Sequence, residues 1–149
     1  MKQRPPRAGI RKTKGPGPRQ RGAGAAIYGI GLDVLRVERI AKVYRRHGER
    51  FVERLLHPLE RKEFEAAARP IHYLAKSFAI KEAFVKALGT GFFGVSHGDI
   101  GAVRKASGKP EFVFSRRLKA QLKRLKVRAA HVSLSDEGGT VGAVAVLER

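Results

Sequence analysis

A carboxylate and an ammonium group share one face of the most apolar helix that the sequence predicts. Residues 77–91 are expected to form the second half of a helix that begins near Tyr73, with Gly89 as a left-handed cap at its end. Glu82 and Lys86 stand four residues apart in this stretch and therefore lie on the same face. A solvated ion pair is the commoner meaning of this spacing, because structural pairs far outnumber catalytic ones.

A second carboxylate favours a catalytic site over a solvated ion pair. Asp33 ends the apolar residues 26–33, which are predicted to form a strand, and a basic helix follows at once. A metal such as Mg²⁺ takes one or two protein carboxylates and leaves its other positions to water and phosphates. Asp33 and Glu82, with Lys81 and Lys86 to hold phosphate oxygens, are the minimum for metal-assisted phosphoryl-type transfer. The spacing alone does not show that the two carboxylates meet.

Other kinds of catalytic site find little support. The histidines lack the spacing of a zinc site, and His131 lies alone on an alternating strand. Ser133 and Ser135 lack the Gly-x-Ser-x-Gly elbow of serine hydrolases. The chain has no cysteine, which excludes disulfides and thiolate chemistry. Gly29 and Gly31 do not form a nucleotide-binding GxGxxG and instead suggest a close approach of two backbones.

The succession of predicted elements is typical of one α+β domain over residues 27–149, with a mainly antiparallel sheet packed by helices. The predicted elements are a strand over 26–33, an amphipathic helix from Val34 to about Gly48, a short helix after Pro58, the central helix, a hairpin of strands 99–105 and 111–114, a helix capped by Ser115, and two closing strands over 130–135 and 140–147.

The net charge of +19 implies acidic partners. Residues 1–26 hold eight positive charges and no acid, in a Pro/Gly-rich composition that predicts a disordered extension. A nucleic-acid-binding module is therefore the alternative to an enzyme, and this extension is the part that would bind nucleic acid. No apolar run approaches a membrane span, and no secretory signal is evident, so we expect a soluble, cytoplasmic protein.

The first predicted helix has one face of nearly uniform charge. Its cationic side chains gather opposite Val37 and Ile40, and only two glutamates interrupt them. This arrangement favours a docking surface for an acidic partner over an ordinary solvated face. The residues proposed for docking are Arg36, Arg39, Lys42 and Arg46.

Four ordered motifs resemble those of the holo-acyl-carrier-protein synthases, the small stand-alone branch of the 4′-phosphopantetheinyl transferases. The motifs are Ile27–Asp33 with Arg39 and Ile40, Phe78–Ala83 with Lys86 and Gly89–Gly91, Gly108–Pro110, and His131–Ser135. The similarity runs from about Ile27 to the C-terminus, so residues 1–26 fall outside it.

The resemblance implies a reaction that moves 4′-phosphopantetheine from coenzyme A to a serine of an apo acyl carrier protein and releases adenosine 3′,5′-bisphosphate. Asp33 and Glu82 stand at the family's Mg²⁺-ligand positions, with Lys86 as a further catalytic residue. The proton acceptor for the serine stays open between Glu82 and a water held by the metal. The residues implied to bind coenzyme A are Lys81, Lys86, Gly89, Thr90, Gly91, Lys109, Pro110, His131, Ser133 and Ser135. The basic helix face would dock the acidic carrier protein, whether it serves fatty acids or polyketides.

The resemblance also implies a homotrimer with sites between subunits, in which His131, Ser133 and Ser135 face the Asp33 and Glu82 of a neighbour. Two positions depart from the family pattern. Ser77 stands where many relatives carry Arg, and Asp136 stands where many carry His. Both changes remove positive charge from the expected phosphate-binding region, so they leave open which residues hold the 3′-phosphate.

Overall fold

The computed structural model describes residues 26–149. The predicted extension, except for Ala26, lies outside the described residues. The chain runs in the order β1 (Ile27–Arg36), α1 (Val37–His47), α2 (Glu49–Leu55), α3 (Pro58–Glu65), α4 (Pro70–Leu88), a 3₁₀ turn (His97–Asp99), β2 (Ile100–Arg104), β3 (Pro110–Phe114), α5 (Arg116–Arg124), β4 (Ala129–Glu137) and β5 (Thr140–Glu148). Within the described part, no helix combines the length and apolarity of a membrane span.

The strands confirm the predicted α+β class with antiparallel pairing, and they divide between two sheets. One sheet has three strands in the order β1-β5-β4, and the other is the predicted β2–β3 hairpin. Helix α4 packs across one face of the three-stranded sheet and carries much of the core, including Leu74, Phe84 and Leu88. The hairpin contributes Ile100 and Phe112 to the same core.

Two glycines set the distance between β1 and α4. A β-carbon at Gly31 would overlap the main-chain carbonyl of Ala83, and one at Gly29 would overlap that of Ala87. Both helix residues are alanines and are fully or almost fully buried. The close backbone approach predicted from the glycine pair is therefore confirmed, and it holds the next residues of β1 against the same face of α4.

The boundaries of two helices differ from the prediction. Val34 was expected to begin the first helix, but β1 continues through it to Arg36 because these residues pair with β5, Val34 opposite Gly142. Helix α1 therefore begins at Val37. Helix α4 begins at Pro70, before the predicted start at Tyr73, since proline fits the first turn of a helix, where its missing N–H is not needed.

The predicted helix caps at Gly89 and Ser115 are confirmed. Gly89 ends α4 with φ of 80°, a left-handed conformation that glycine adopts without steric penalty. The Ser115 hydroxyl accepts a hydrogen bond from the Leu118 amide at 3.2 Å and caps α5.

Candidate active site

Asp33 and Lys86 form the centre of the candidate site. The Lys86 ammonium donates to Asp33 Oδ1 at 2.8 Å and to the Leu32 carbonyl at 3.0 Å. Asp33 is largely shielded, with 14% of its side chain exposed, whereas 49% of the Lys86 side chain is exposed. The carboxylate is thus held against α4 while the ammonium remains open to a ligand.

Glu82 lies one turn before Lys86 on α4, half-buried and close to the same charges. Its burial, and next the negative charge of Asp33, raise the pKa of Glu82 above its ordinary value, and the opposing influences are Lys86 and Arg39. Asp33 and Glu82, whose proximity could not be established from the sequence, therefore belong to one electrostatic cluster. Arg39, on α1, reaches this cluster with its guanidinium 5.6 Å from the centre of the Phe78 ring.

The donor set at this cluster fits a hard divalent cation. Two neighbouring carboxylates repel each other, and a divalent cation would relieve that repulsion. Within residues 26–149, no group of three or more His, Asp or Glu side chains has the arrangement of a metal site. Asp33 and Glu82 would therefore supply the only protein carboxylates, which is the arrangement Mg²⁺ accepts when substrate phosphates and water complete its shell.

Lys81 does not belong to this cluster, and its predicted contact with coenzyme A is wrong. Its side chain is fully buried on the other side of α4, where the ammonium donates to Glu60 Oε2 at 2.7 Å and to the Leu55 carbonyl. Adjacent residues on a helix point about 100° apart, so Lys81 faces the core while Glu82 faces the site. Buried lysines need a counter-ion, and Glu60 provides it.

Glu60 is the central residue of a buried polar network, and both oxygens of its carboxylate accept hydrogen bonds. Its carboxylate accepts from the amides of His57 and Ala102, from the Ser77 hydroxyl and from the Lys81 ammonium, at distances of 2.7 to 3.1 Å. The network joins α3, α4 and β2. Ser77, the first departure from the family pattern, is therefore a buried structural residue, at 3% exposure.

Three residues predicted to bind the coenzyme, Lys109, Pro110 and Ser133, line one cavity of about 360 Å³ between the β2–β3 hairpin and the edge of β4. The same cavity is lined by Lys76 and Arg104, two cations that were not predicted from the sequence. Asp136, the second departure, also lines it and pairs with Lys76 at 3.0 Å. The sequence has no local motif that indicates Lys76 or Arg104 as cavity residues, because only the fold brings them together.

The predicted coenzyme residues fall into separate groups within one chain. Gly89, Thr90 and Gly91 follow the end of α4, just beyond Lys86, and are exposed. Lys76 lies ten residues before Lys86, which is about 15 Å along a helix. The Lys109 cavity therefore lies well away from the Asp33 cluster in the same chain.

The face of the three-stranded sheet opposite α4 carries the remaining predicted residues. Leu32 pairs with Val144 and Val144 with Ser133, and neighbouring residues in such a row point to the same side. His131, Ser133 and Ser135 therefore share the face of Leu32, while Asp33 points the other way, toward α4. Within one chain, His131 and Ser135 do not reach Asp33.

The predicted docking residues are all exposed. Arg39, Lys42 and Arg46 lie on α1, while Arg36 is the last residue of β1 and not part of the helix, contrary to the prediction. Lys42 pairs with Glu38 at 2.9 Å, an exposed pair of the kind that contributes little to stability.

The family model described as the 4′-phosphopantetheinyl transferase superfamily matches residues 29–141. The chain belongs to this superfamily. Within it, the chain is 46% identical over 124 residues to the holo-[acyl-carrier-protein] synthase of Neisseria meningitidis serogroup A, covering 83% of this chain and 99% of the relative. The resemblance read from the four motifs is thereby confirmed.

Solved structures of this part of the superfamily share the fold. The crystal structure of the synthase from Neisseria meningitidis superposes with a TM-score of 0.81 at 44% identity, covering 83% of this chain and 100% of that one. A synthase from Bacillus anthracis, solved in complex with CoA (3′,5′-ADP), has a TM-score of 0.67 at 33% identity, covering 82% and 96%. The chain therefore spans nearly the whole length of these superfamily members.

Proposed function

We propose that the protein transfers 4′-phosphopantetheine from coenzyme A to a serine of an apo acyl carrier protein and releases adenosine 3′,5′-bisphosphate. The observation that carries this proposal is the cluster of Asp33, Glu82 and Lys86, positioned by the contact between β1 and α4. The holo-[acyl-carrier-protein] synthases to which the chain is similar have this activity in their name.

Asp33 and Glu82 would hold a Mg²⁺ ion, which when bound neutralises developing charge on the pyrophosphate. Lys86 has half of its side chain exposed and can leave Leu32 to hold a phosphate oxygen beside Asp33. The acceptor of the serine proton is either Glu82, whose raised pKa makes its carboxylate a stronger base than an ordinary glutamate, or a water at this site.

We propose that the nucleotide end of coenzyme A uses Gly89–Gly91 and the cavity lined by Lys109, Pro110 and Ser133. The cations around that cavity attract phosphate, and its volume of about 360 Å³ suits part of a nucleotide. The acidic carrier protein would dock on α1 through Arg39, Lys42 and Arg46, with Arg36 beside them. Arg39 lies closest to the reacting cluster, so it would place the carrier serine there.

We further propose a homotrimer that joins the separated groups. Ile30, Leu32 and Val34 are 57 to 61% exposed in a row on the sheet face opposite α4. Such an apolar face favours burial against another copy of the chain. His131, Ser133 and Ser135 border this face, and in a trimer they would reach the Asp33 cluster of a neighbour. The trimer thus accounts for coenzyme residues that no single chain brings together.

The decisive experiment is intact-mass spectrometry of an apo acyl carrier protein incubated with the protein and coenzyme A, with Mg²⁺ or with EDTA. A phosphopantetheine-sized mass gain that requires Mg²⁺ is expected, and it should be lost in Asp33→Ala and in Glu82→Ala. Glu65→Ala, which removes an exposed carboxylate of α3, is the matched control and should remain active. No mass gain with several carrier proteins would overturn the proposal, and wild-type activity in both site variants would overturn the metal assignment.

Subunit sharing has its own test. Asp33→Ala and His131→Ala should each be inactive, because each breaks every site of a homotrimer. When the two variants are unfolded together and refolded as a mixture, some sites pair an intact Asp33 with an intact His131, so part of the activity should return. Light scattering gives the oligomeric state independently, and a monomeric, active protein would contradict the trimer.

Nucleic-acid binding remains the second candidate for the basic extension, which lies outside the described residues. A salt-sensitive affinity for RNA or DNA that disappears when residues 1–25 are removed would support it. That outcome is compatible with the transferase, because the described domain carries the proposed site.

A further inference from the structure

A further cavity, of about 590 Å³, is lined by none of the residues of the Asp33 cluster and shares no lining residue with the Lys109 cavity. It lies between α5, the connection from α5 to β4, and the first residues of β4. Its floor is apolar and its rim is cationic. The apolar lining residues are Phe114, Leu122, Val127, Ala129 and Ala130, and the cationic ones are Lys119, Lys123, Lys126 and Arg128.

Within residues 26–149, none of the four cations that line this cavity takes part in an ion pair. Residues 116–128 contain seven cations and no carboxylate. Among the ion pairs of the described chain, only Arg117 of this segment takes part in one, with Asp99. The negative end of the helix dipole accounts for cations in the last turn of α5, such as Lys123, but not for Lys119 or Arg128. A ligand carrying negative charge would therefore be attracted to the rim.

Lys126 is held at the rim in an unusual backbone conformation. It has φ of 60°, and no other non-glycine residue of the described chain has a positive φ. Hydrogen bonds from the Val127 amide to the Leu122 carbonyl at 2.9 Å, and from the Lys126 amide to the Lys123 carbonyl at 3.1 Å, form the helix-ending motif that usually has glycine at this position. The motif explains the turn, but it does not explain a lysine there, since a β-carbon makes that conformation less favourable.

We infer that this cavity binds a single-chain amphiphile with a phosphate head group. The apolar floor would take the hydrocarbon chain, and the volume lies within the range of small-molecule sites, roughly 300 to 1,000 Å³. A phosphomonoester carries close to two negative charges and three acceptor oxygens, so it can engage several of the four rim cations at once. Inorganic phosphate would leave the floor in contact with water, and an uncharged chain would leave the cations without a partner.

The test is calorimetric titration of the full chain with decyl phosphate below its micelle concentration, beside inorganic phosphate, decanol and a short single-stranded oligonucleotide. Decyl phosphate should bind at least about tenfold more tightly than inorganic phosphate and than decanol. Equal affinity for decyl and inorganic phosphate would overturn the site. Equally strong competition by the oligonucleotide would also overturn it and indicate a general polyanion surface.

The matched variants are Lys126→Gly and Arg124→Ala. Each removes one cation near the end of α5, but Arg124 does not line the cavity. Lys126→Gly should weaken decyl phosphate binding about fivefold to tenfold, while its thermal unfolding midpoint stays the same or rises because glycine accepts positive φ. Arg124→Ala should change the affinity less than twofold. Equal weakening by both variants would contradict a defined site, and carrier-protein modification should be unchanged in both.

Discussion

Lys86 neutralises Asp33 across the contact between α4 and β1, with 2.8 Å between Nζ and Oδ1. Because half of the lysine side chain is exposed, the pair contributes little to stability. Its contribution to the proposed reaction should be much larger, since the ammonium lies where phosphate oxygens would bind. Lys86→Met should therefore lower kcat/KM for carrier-protein modification by about 100-fold, with the free energy of unfolding changed by less than about 1 kcal/mol.

The control for this variant is Lys62→Met, which removes an exposed lysine of α3 that does not belong to the cluster. Its kcat/KM and stability should match the unmodified protein. If Lys86→Met retains kcat/KM within threefold, Lys86 has no catalytic role.

Gly31 controls how closely β1 approaches α4. A β-carbon there overlaps the Ala83 carbonyl, and main-chain atoms on both sides cannot move out of the way cheaply. Gly31→Ala should lower the free energy of unfolding by about 3 kcal/mol in urea titration, because overpacking forces the two elements apart. Gly98→Ala is the control, since its nearest neighbour would be 3.9 Å away. Similar losses of unfolding free energy in both variants would show that the close approach of β1 and α4 makes no specific contribution to stability.

The Glu60 carboxylate compensates the buried charge of Lys81. Burial lowers the pKa of Lys81, and the Glu60 charge opposes that shift. Glu60→Gln should lower the free energy of unfolding by about 3 to 5 kcal/mol, because it leaves a buried ammonium without a counter-ion. The double variant Glu60→Gln with Lys81→Met should recover part of this loss. Glu65→Gln, in an exposed pair with Arg61, should change stability by less than about 0.5 kcal/mol.

The pH dependence of stability should contain a contribution from His97. Burial, and next the positive charge of Lys81, lower the pKa of His97 to about 4. Its ring stacks on Phe92 with 3.9 Å between centroids, and its buried Nε2 has no hydrogen-bond partner in the described chain. The unfolded chain takes up the proton first, so this contribution is complete above about pH 6.5 and is lost as pH falls toward 4.

His97→Phe keeps an aromatic ring against Phe92 but cannot be protonated. Urea titrations between pH 7 and 4 should therefore show a shallower loss of stability in His97→Phe than in the unmodified protein. His47→Phe, an exposed position on α1, should leave the slope unchanged. Parallel curves for His97→Phe and the unmodified protein would contradict the assignment.

Local chemistry accounts for the parts of the fold that the sequence predicted well. Gly89 and Ser115 are caps whose function depends on a few adjacent residues, and Gly29 and Gly31 have no side chain to keep α4 away. These features could be read without knowing which elements pack together.

The incorrect predictions from the sequence concern features that depend on tertiary contacts. Val34 fits the apolar face of a helix in sequence, but pairing with Gly142 on β5 keeps it in the strand. Lys81 stands beside Glu82 in sequence, and only the distant Glu60 reveals that it is a buried partner and not a phosphate ligand. Lys76 and Arg104 were missed for the same reason, since the cavity they line exists only in the folded chain.

The alternation of β1 has a consequence for which length changes the protein tolerates. Asp33 faces α4, whereas its neighbours Leu32 and Val34 face away from it and are exposed. Deleting Leu32, the one residue between Gly31 and Asp33, would turn the carboxylate to the apolar face and place Val34 against Lys86. We therefore expect that this strand does not tolerate insertions or deletions. Substitutions that keep the alternation of polar and apolar positions should be tolerated.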